Sequence, residues 1–149
     1  MYIDYFGSPI GKLKITADDR YIYSLMYVDE YDEAVNSNKV TDKLKKELVE
    51  YFDGKRKTFD SEVKLIGTEY QVKVWTELMN IPYGETVSYK DIAINIKNPA
   101  SAIAVGNANN KNKLLLLVPC HRVIGTNKKL IGFALGLEAK KYLLDLEKR

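Results

Sequence analysis

The sequence lacks the residues that would form a disulfide framework or a typical structural metal site. Its 149 residues include one cysteine and one histidine. A single cysteine cannot form an intramolecular disulfide, and one histidine beside it leaves too few soft ligands for a structural zinc ion. We therefore expect a protein of the reducing cytoplasm that contains no disulfide, no structural metal and no cofactor.

Long hydrophobic runs are also missing. The longest apolar run, LLLLV at 114–118, is far too short to span a bilayer, and the N-terminus has neither the charged start nor the apolar run of a signal peptide. A composition of 46% hydrophobic and 11% aromatic residues is nevertheless typical of a globular chain. These features predict a soluble protein that folds around a core and has no membrane partner.

The charges are distributed unevenly along the chain. Residues 1–63 contain 10 Lys and Arg against 13 Asp and Glu, whereas residues 64–149 contain 13 against 7. A basic half is a candidate for contact with a polyanion such as nucleic acid. Charge alone leaves the alternative open, because many basic surfaces are only solvated.

The pattern of hydrophobic residues changes near residue 63. Before it, short β-branched and aromatic runs separated by turn residues predict a small antiparallel sheet, and a helical repeat from Val40 to Phe52 follows. After it, capping boxes and helical repeats predict helices joined by short turns. The change predicts two domains, a small α/β domain at 1–63 and a mainly helical domain at 64–149.

Two consecutive short helices are predicted in the second half. The capping box Ser88-x-x-Asp91 opens the first, and Asn98-Pro99 supplies an N-cap and first residue for the second, over 100–109. The tight connection favours a helix-turn-helix, although ordinary helix packing gives the same pattern. The second helix is built largely of small side chains, which allow its backbone to approach another surface closely.

Cys120 and His121 are adjacent, and Pro119 precedes them. The apolar run 114–118 predicts a buried strand, and a helical turn opening at Pro119 would place Cys120 among backbone N–H groups that favour the thiolate. Neighbouring residues do not face each other, so a bridging water would link Cys120 to His121. Glu147, on the packed side of the C-terminal helix, is the candidate that orients His121. The alternatives are a small core cysteine and a structural histidine.

The motif PCHR at 119–122 resembles that of the O6-alkylguanine-DNA alkyltransferases. IPYGETVSY at 81–89 and GFALGL at 132–137 support the resemblance, which extends from about Gly67 to Glu147. The resemblance implies an α/β N-terminal ribonuclease-H-like domain followed by a mainly α, winged-helix-like domain with a helix-turn-helix. It also implies a single-turnover reaction, in which an alkyl group passes from O6 of a flipped guanine in double-stranded DNA to the cysteine. A monomer without a cofactor is expected.

The resemblance assigns roles to individual residues. Cys120 is similar to the alkyl acceptor, His121 to the water-linked base, Glu147 to its orienting carboxylate and Asn112 to the asparagine that supports the active-site turn. Tyr89 resembles the tyrosine that contacts the extruded base and helps to protonate the leaving guanine. The expected DNA contacts are Thr86, Ser88, Tyr89, Lys90, Ala100, Ser101, Ala102, Ile103, Lys111, Lys113 and Arg122, and the expected base pocket is Tyr89, Val123, Phe133, Ala134, Leu135 and Gly136.

One position departs from the family pattern. Family members usually carry an arginine on the recognition helix to fill the space left by the flipped nucleotide, and here Ile103 aligns with it. An isoleucine can insert between bases but offers no hydrogen bonds. Alternatively, Ile103 packs into the core against the preceding helix.

Two other functions are compatible with parts of the sequence. A relative that senses alkylguanine without transferring the alkyl group would need no cysteine, so Cys120 argues against it. A cysteine hydrolase could use Cys120 and His121, but these residues are adjacent and the sequence contains no obvious oxyanion loop.

Overall fold

The computed structural model describes residues 1–97, 102–125 and 136–149. The chain divides into two compact units. The first comprises Met1–Lys64 with Lys113–Leu115 and Arg149, and the second comprises Leu65–Asn112 and Leu116–Lys148. No helix in the described ranges is both long and apolar enough to cross a membrane.

The first unit contains the antiparallel sheet expected from its apolar runs. Strands β1 (Tyr2–Ser8), β2 (Gly11–Ala17) and β3 (Ile22–Tyr27) lie in the order β1-β2-β3. Ser8 pairs with Gly11 across the first turn, where Gly11 has a φ of 118°. An added Cβ at Gly11 would lie 2.6 Å from the Tyr27 ring, so both the backbone and the space require glycine.

Helix α1 (Lys39–Phe52) packs its apolar face in this unit. Asn38 and Thr41 form its capping box, each side chain bonding the other residue's backbone N–H group. Leu44 and Leu48 of the predicted helical repeat are fully buried, and so is Tyr51, which the repeat does not include. Val49 belongs to that repeat by spacing but is 48% exposed, because it lies beside the buried face.

The second unit is mainly helical. Helix α2 (Glu69–Leu78) begins at the predicted capping box of Thr68 and Gln71. Trp75 on this helix donates a hydrogen bond of 2.9 Å from Nε1 to the Ala108 carbonyl of α4 (Ala102–Asn110). The bond satisfies the buried indole and fixes α4 against α2.

Helix α3 (Tyr89–Asn95) precedes α4 and begins at the predicted capping box of Ser88 and Asp91. The two helices pack through small and medium apolar side chains, and the buried residues on them include Ile92, Ala93 and Val105. The pair forms the helix-turn-helix predicted from the sequence. The expected cap at Asn98-Pro99 lies outside the described residues.

A short parallel pair of strands joins distant parts of the second unit. Strand β4 (Val87–Ser88) pairs with β5 (Val123–Ile124), so the turn that holds Cys120 ends beside the start of α3. Helix α5 (Leu137–Glu147) follows, with Leu143, Leu144 and Leu146 buried and Leu137 half exposed.

The strand predicted at 114–118 is wrong, although all five residues are buried. Leu114 forms a single bridge with Leu25, and the chain then turns, with Leu116 at a φ of 69°. A left-handed leucine cannot continue a strand. An apolar run reports burial, but it does not distinguish a strand from a buried turn.

Candidate active site

Cys120 begins a single 3-10 turn, Cys120–Arg122. The turn is closed by a hydrogen bond of 3.0 Å from the Arg122 N–H to the Pro119 carbonyl, and the Cys120 N–H donates to Val118 at 2.7 Å. Pro119 itself has a ψ of 63°, so it caps the turn and is not its first helical residue as expected. The consequence for Cys120 is the same, since it occupies the first position of the turn.

Two asparagines of the α4 end hold this turn. The Asn112 side-chain amide donates to the Val118 carbonyl at 2.9 Å, and that of Asn109 lies 3.5 Å from the Cys120 carbonyl. Both side chains are buried. The resemblance predicts support of the turn by Asn112, and this hydrogen bond provides it.

His121 pairs with Glu147 as predicted. Its Nε2 atom lies 2.6 Å from Glu147 Oε2, and both side chains are 1% exposed. A carboxylate only accepts hydrogen bonds, so Nε2 carries the proton of the neutral ring. His121 Nδ1 is buried and has no hydrogen-bond partner among the described residues, which leaves its lone pair available as a base.

The thiol is not ionised by its surroundings in this structure. Burial raises the pKa of Cys120 to about 11, although a hydrogen bond from Asn112, the charge of Lys140 and the backbone N–H groups of Cys120 and His121 act in the opposite direction. The backbone N–H groups of the turn act in the direction that we expect, but burial outweighs them, so the turn does not by itself ionise the thiol. A base must remove the proton.

Burial also keeps His121 neutral. It lowers the pKa of His121, with the charges of Arg122 and Lys140 acting in the same direction and Glu147 in the opposite one. A neutral imidazole can accept the thiol proton, and Glu147 would then stabilise the imidazolium.

Lys140 is a site residue that the sequence reasoning missed. Its side chain is fully buried, and its ammonium donates to the Val123 carbonyl at 2.5 Å and lies 6.0 Å from the Tyr89 ring centre. Burial lowers its pKa to about 8, while the Cys120 charge raises it. Helical spacing could have found it, because Lys140 precedes Leu143 and Leu144 by three and four residues and so lies on the buried face of α5.

Tyr89 lies at the same site. Burial and the charge of Cys120 raise its pKa, and a hydrogen bond with Asn109 lowers it, so the phenol stays protonated near neutral pH. The α4 backbone approaches the phenol ring at Gly106, where an added Cβ would lie 3.8 Å away. A protonated phenol is suited to donate a proton to a leaving group.

The expected DNA contacts separate into exposed and buried residues. Ile103 is 83% exposed, so the alternative that it packs into the core is wrong. Ser88 is occupied as the cap of α3, with its side chain accepting from Asp91. Ala100 and Ser101 lie outside the described residues. The exposed cationic and polar members are Thr86, Lys90, Lys111 and Lys113, and Ala102 is half-buried.

Arg122 is not available for DNA in this structure. It is 7% exposed, and its guanidinium donates to Glu147 through Nε at 2.8 Å and Nη2 at 3.0 Å, and to the Ile81 carbonyl at 2.8 Å. The prediction that Arg122 contacts DNA is wrong for this conformation. The guanidinium of Arg122 already donates its hydrogen bonds to the buried Glu147 carboxylate and to the Ile81 carbonyl.

The expected base pocket is only partly described. Val123 is fully buried and gives its carbonyl to Lys140, and Gly136 caps α5 with a φ of 93°. Phe133, Ala134 and Leu135, which the resemblance predicts to line the pocket, lie outside the described residues.

A buried cysteine, histidine and glutamate beside a helix-turn-helix define a thiol-dependent protein with a nucleic-acid-binding motif. The model of the 6-O-methylguanine DNA methyltransferase ribonuclease-like domain matches residues 1–65, and that of its DNA-binding domain matches residues 69–149. The chain therefore belongs to the 6-O-methylguanine DNA methyltransferase family. The N-terminal match adds to the sequence resemblance, which rested on the second half.

Individual relatives are similar to this protein over nearly the whole chain. A methylated-DNA–protein-cysteine methyltransferase of Methanosarcina acetivorans is 42% identical over 153 residues, covering 99% of this chain and 98% of its own. The same is true of one from Mycobacterium leprae, at 42% identity with 95% and 88% covered. A crystal structure of Mycobacterium tuberculosis OGT in complex with DNA matches with a TM-score of 0.92 at 38% identity, covering 99% of this chain and 93% of that one.

Proposed function

We infer that this protein repairs DNA by transferring an alkyl group from O6 of guanine in duplex DNA to Cys120. The observation that carries the inference is the contact of 2.6 Å between His121 and Glu147 next to the cysteine, within a chain of this family. In the reaction a sulfur–carbon bond forms and the carbon–O6 bond breaks, with its electron pair remaining on the guanine. The enzyme is a methylated-DNA–[protein]-cysteine S-methyltransferase.

The residues divide the proton transfers between them. His121 accepts the thiol proton, directly or through a water, while Glu147 holds the ring and stabilises its positive form. Asn112 and Lys140 stabilise the thiolate that results. Tyr89 supplies a proton to the departing guanine, whose oxygen would otherwise leave as an anion.

Each molecule acts once. A thioether is stable under cellular conditions, and the chain has no second cysteine that could take part in exchange at Cys120. The product is therefore an inactivated protein, and the amount of lesion removed equals the amount of protein consumed.

The basic domain at 64–149 would hold the DNA. The exposed side chains Thr86, Lys90 and Lys111 would meet the backbone, and α4 would enter the groove with Ile103 at the gap left by the extruded base. Val123 and Gly136 would border the base. We further propose that the protein works as a monomer in the cytoplasm and that residues 1–63 form a separate domain.

The test is incubation with duplex DNA carrying a radiolabelled O6-methylguanine. The expected result is label on the protein, at most one methyl group per molecule, located at Cys120 by peptide mass. Cys120→Ala should take up no label and retain its DNA affinity, because the side chain is small and the proposed DNA contacts lie mainly on residues 88–113. Binding without label in the natural protein would indicate a lesion sensor and overturn the proposal.

A further inference from the structure

The Glu147 carboxylate is held from two sides. Arg122 donates to both of its oxygens, at 2.8 Å and 3.0 Å, and the backbone N–H of Gly84 lies 3.4 Å from Oε1. Arg122 is itself fixed by the Ile81 carbonyl at 2.8 Å, and its guanidinium lies 5.7 Å from the centre of the Tyr83 ring. The segment 81–84 has no part in the transfer reaction itself. It nevertheless contacts Glu147 through Gly84 and holds Arg122 through Ile81.

Gly84 is required by its position. It has a φ of 81°, and an added Cβ would lie 3.2 Å from the Glu147 carbonyl. Both the backbone conformation and the close approach favour glycine. The turn therefore sits against the end of α5 without a side chain between them.

We propose that Arg122, together with the turn Ile81–Gly84, forms a carboxylate cradle that positions Glu147 for its contact with His121. Arg122 is then a positioning residue and not a DNA contact. The proposal rests on the proposed alkyl transfer for its consequence, since only a reaction that uses His121 as a base needs the carboxylate fixed.

The cradle also affects the charge of His121. A buried carboxylate alone would favour the imidazolium, which cannot accept the thiol proton. The Arg122 guanidinium balances that carboxylate, so the pair can stay next to a neutral ring. In the part of the chain that the structure describes, the charged and titratable groups near the His121–Glu147 pair include Arg122 and Cys120 from the turn and Lys140 from α5. Tyr83 also lies nearby, with its hydroxyl 3.5 Å from the Leu146 carbonyl.

Because the chain contains one histidine, nuclear magnetic resonance of its imidazole reports His121 without assignment by mutation. In Arg122→Met the midpoint of the His121 titration should move upward by about 1 pH unit or more, since the carboxylate loses its balancing charge. Alkyl transfer should slow at neutral pH and recover as the pH rises. Arg20→Met, which removes an exposed arginine of the first unit, should change neither.

Two further variants distinguish the effect of the Arg122 hydrogen-bond geometry from the effect of its charge. Arg122→Lys keeps a positive charge but cannot form two parallel bonds, so the His121 titration should stay near that of the natural protein while transfer slows about tenfold. Arg122→Met combined with Glu147→Gln removes both charges, so we expect it to destabilise the fold less than Arg122→Met alone and to have a lower His121 titration midpoint than that single variant. If Arg122→Met does not fold, Arg122→Lys and the double variant still test the proposal.

An unchanged His121 titration in Arg122→Met, or a natural transfer rate in Arg122→Lys, would overturn the cradle. A loss of rate that is equal at every pH, with only a lower melting temperature, would show a purely structural arginine and also overturn it. The imidazole titration requires neither DNA nor transfer, so failure of the repair function and failure of the cradle give different results.

Discussion

The buried ammonium of Lys140 donates a hydrogen bond of 2.5 Å to the carbonyl of Val123, two residues beyond His121. It is a positive charge fixed close to the cysteine without exposure to solvent. A cation in this position stabilises the thiolate more than it stabilises the thiol. We therefore expect Lys140 to assist the reaction through its charge, without taking part in the proton transfer itself.

We expect Lys140→Met to slow alkyl transfer at neutral pH. Removing the charge raises the pKa of Cys120 beyond its value of about 11, and each unit of increase lowers the thiolate fraction about tenfold. The measurement is the transfer rate to a free O6-alkylguanine base from pH 6 to pH 10. Lys141→Met is the matched control, because Lys141 is the exposed neighbour on the same helix. Equal rates in the two variants would remove Lys140 from the mechanism.

The raised pKa of Cys120 predicts how its reactivity depends on pH. In the DNA-free protein the rate of alkylation by iodoacetamide should still rise between pH 9 and about 11, whereas in the urea-unfolded chain it should level off near 9. The thiol also affects stability. Because its folded pKa lies above the unfolded value of 9.0, its contribution is complete below pH 9 and is lost as the pH rises to about 11. A native reactivity that levels off near pH 7 would contradict the buried thiol.

Asn112 should matter for both stability and reaction rate. Asn112→Ala leaves the buried Val118 carbonyl without its donor, which costs about 1 to 3 kcal/mol of unfolding free energy. It also removes a hydrogen bond that lowers the pKa of Cys120, so transfer should slow beyond the effect of stability. Urea unfolding and single-turnover rates measure the two effects. Asn110→Ala is the control, because Asn110 is exposed on α4 and should change neither.

The sequence predicts local structure here better than it predicts burial of charge. The capping boxes at Thr68 and Ser88 begin the helices α2 and α3, because a cap depends only on residues three apart. The pairing of Glu147 with His121 was also predictable, since a carboxylate on an apolar helix face needs a partner.

Features set by tertiary contacts were not predictable in this way. The resemblance places Arg122 among the DNA contacts, whereas its burial depends on a glutamate 25 residues later and on the Ile81 carbonyl. The run 114–118 is buried but turns at Leu116, a backbone conformation with no signal in five apolar letters. Lys140 lies on the buried face of α5 by its spacing from Leu143 and Leu144, but lysine is so rarely buried that the residue type argues against what the spacing indicates.

Ile103, which the sequence resemblance aligns with the usual arginine of the recognition helix, is 83% exposed on α4. Since the side chain makes little contact with the protein, both Ile103→Ala and Ile103→Arg should change the unfolding free energy by no more than about 0.5 kcal/mol. The gap beside an extruded nucleotide lies between stacked bases, and an apolar side chain can insert there. The residue is therefore expected to act only when DNA is bound.

We expect Ile103→Ala to slow repair of O6-methylguanine in duplex DNA while leaving the reaction with the free base unchanged. Extrusion costs a few kcal/mol of stacking and pairing, and a smaller side chain fills the gap less well, so the base returns to the helix more often. Ile103→Arg should maintain or increase the duplex rate, because a guanidinium fills the gap and adds hydrogen bonds to the opposite strand. Single-turnover rates on both substrates measure the difference, with Ile66→Ala and Ile66→Arg as controls at another exposed isoleucine. Equal duplex rates in Ile103→Ala and the natural protein would show that extrusion does not depend on this side chain.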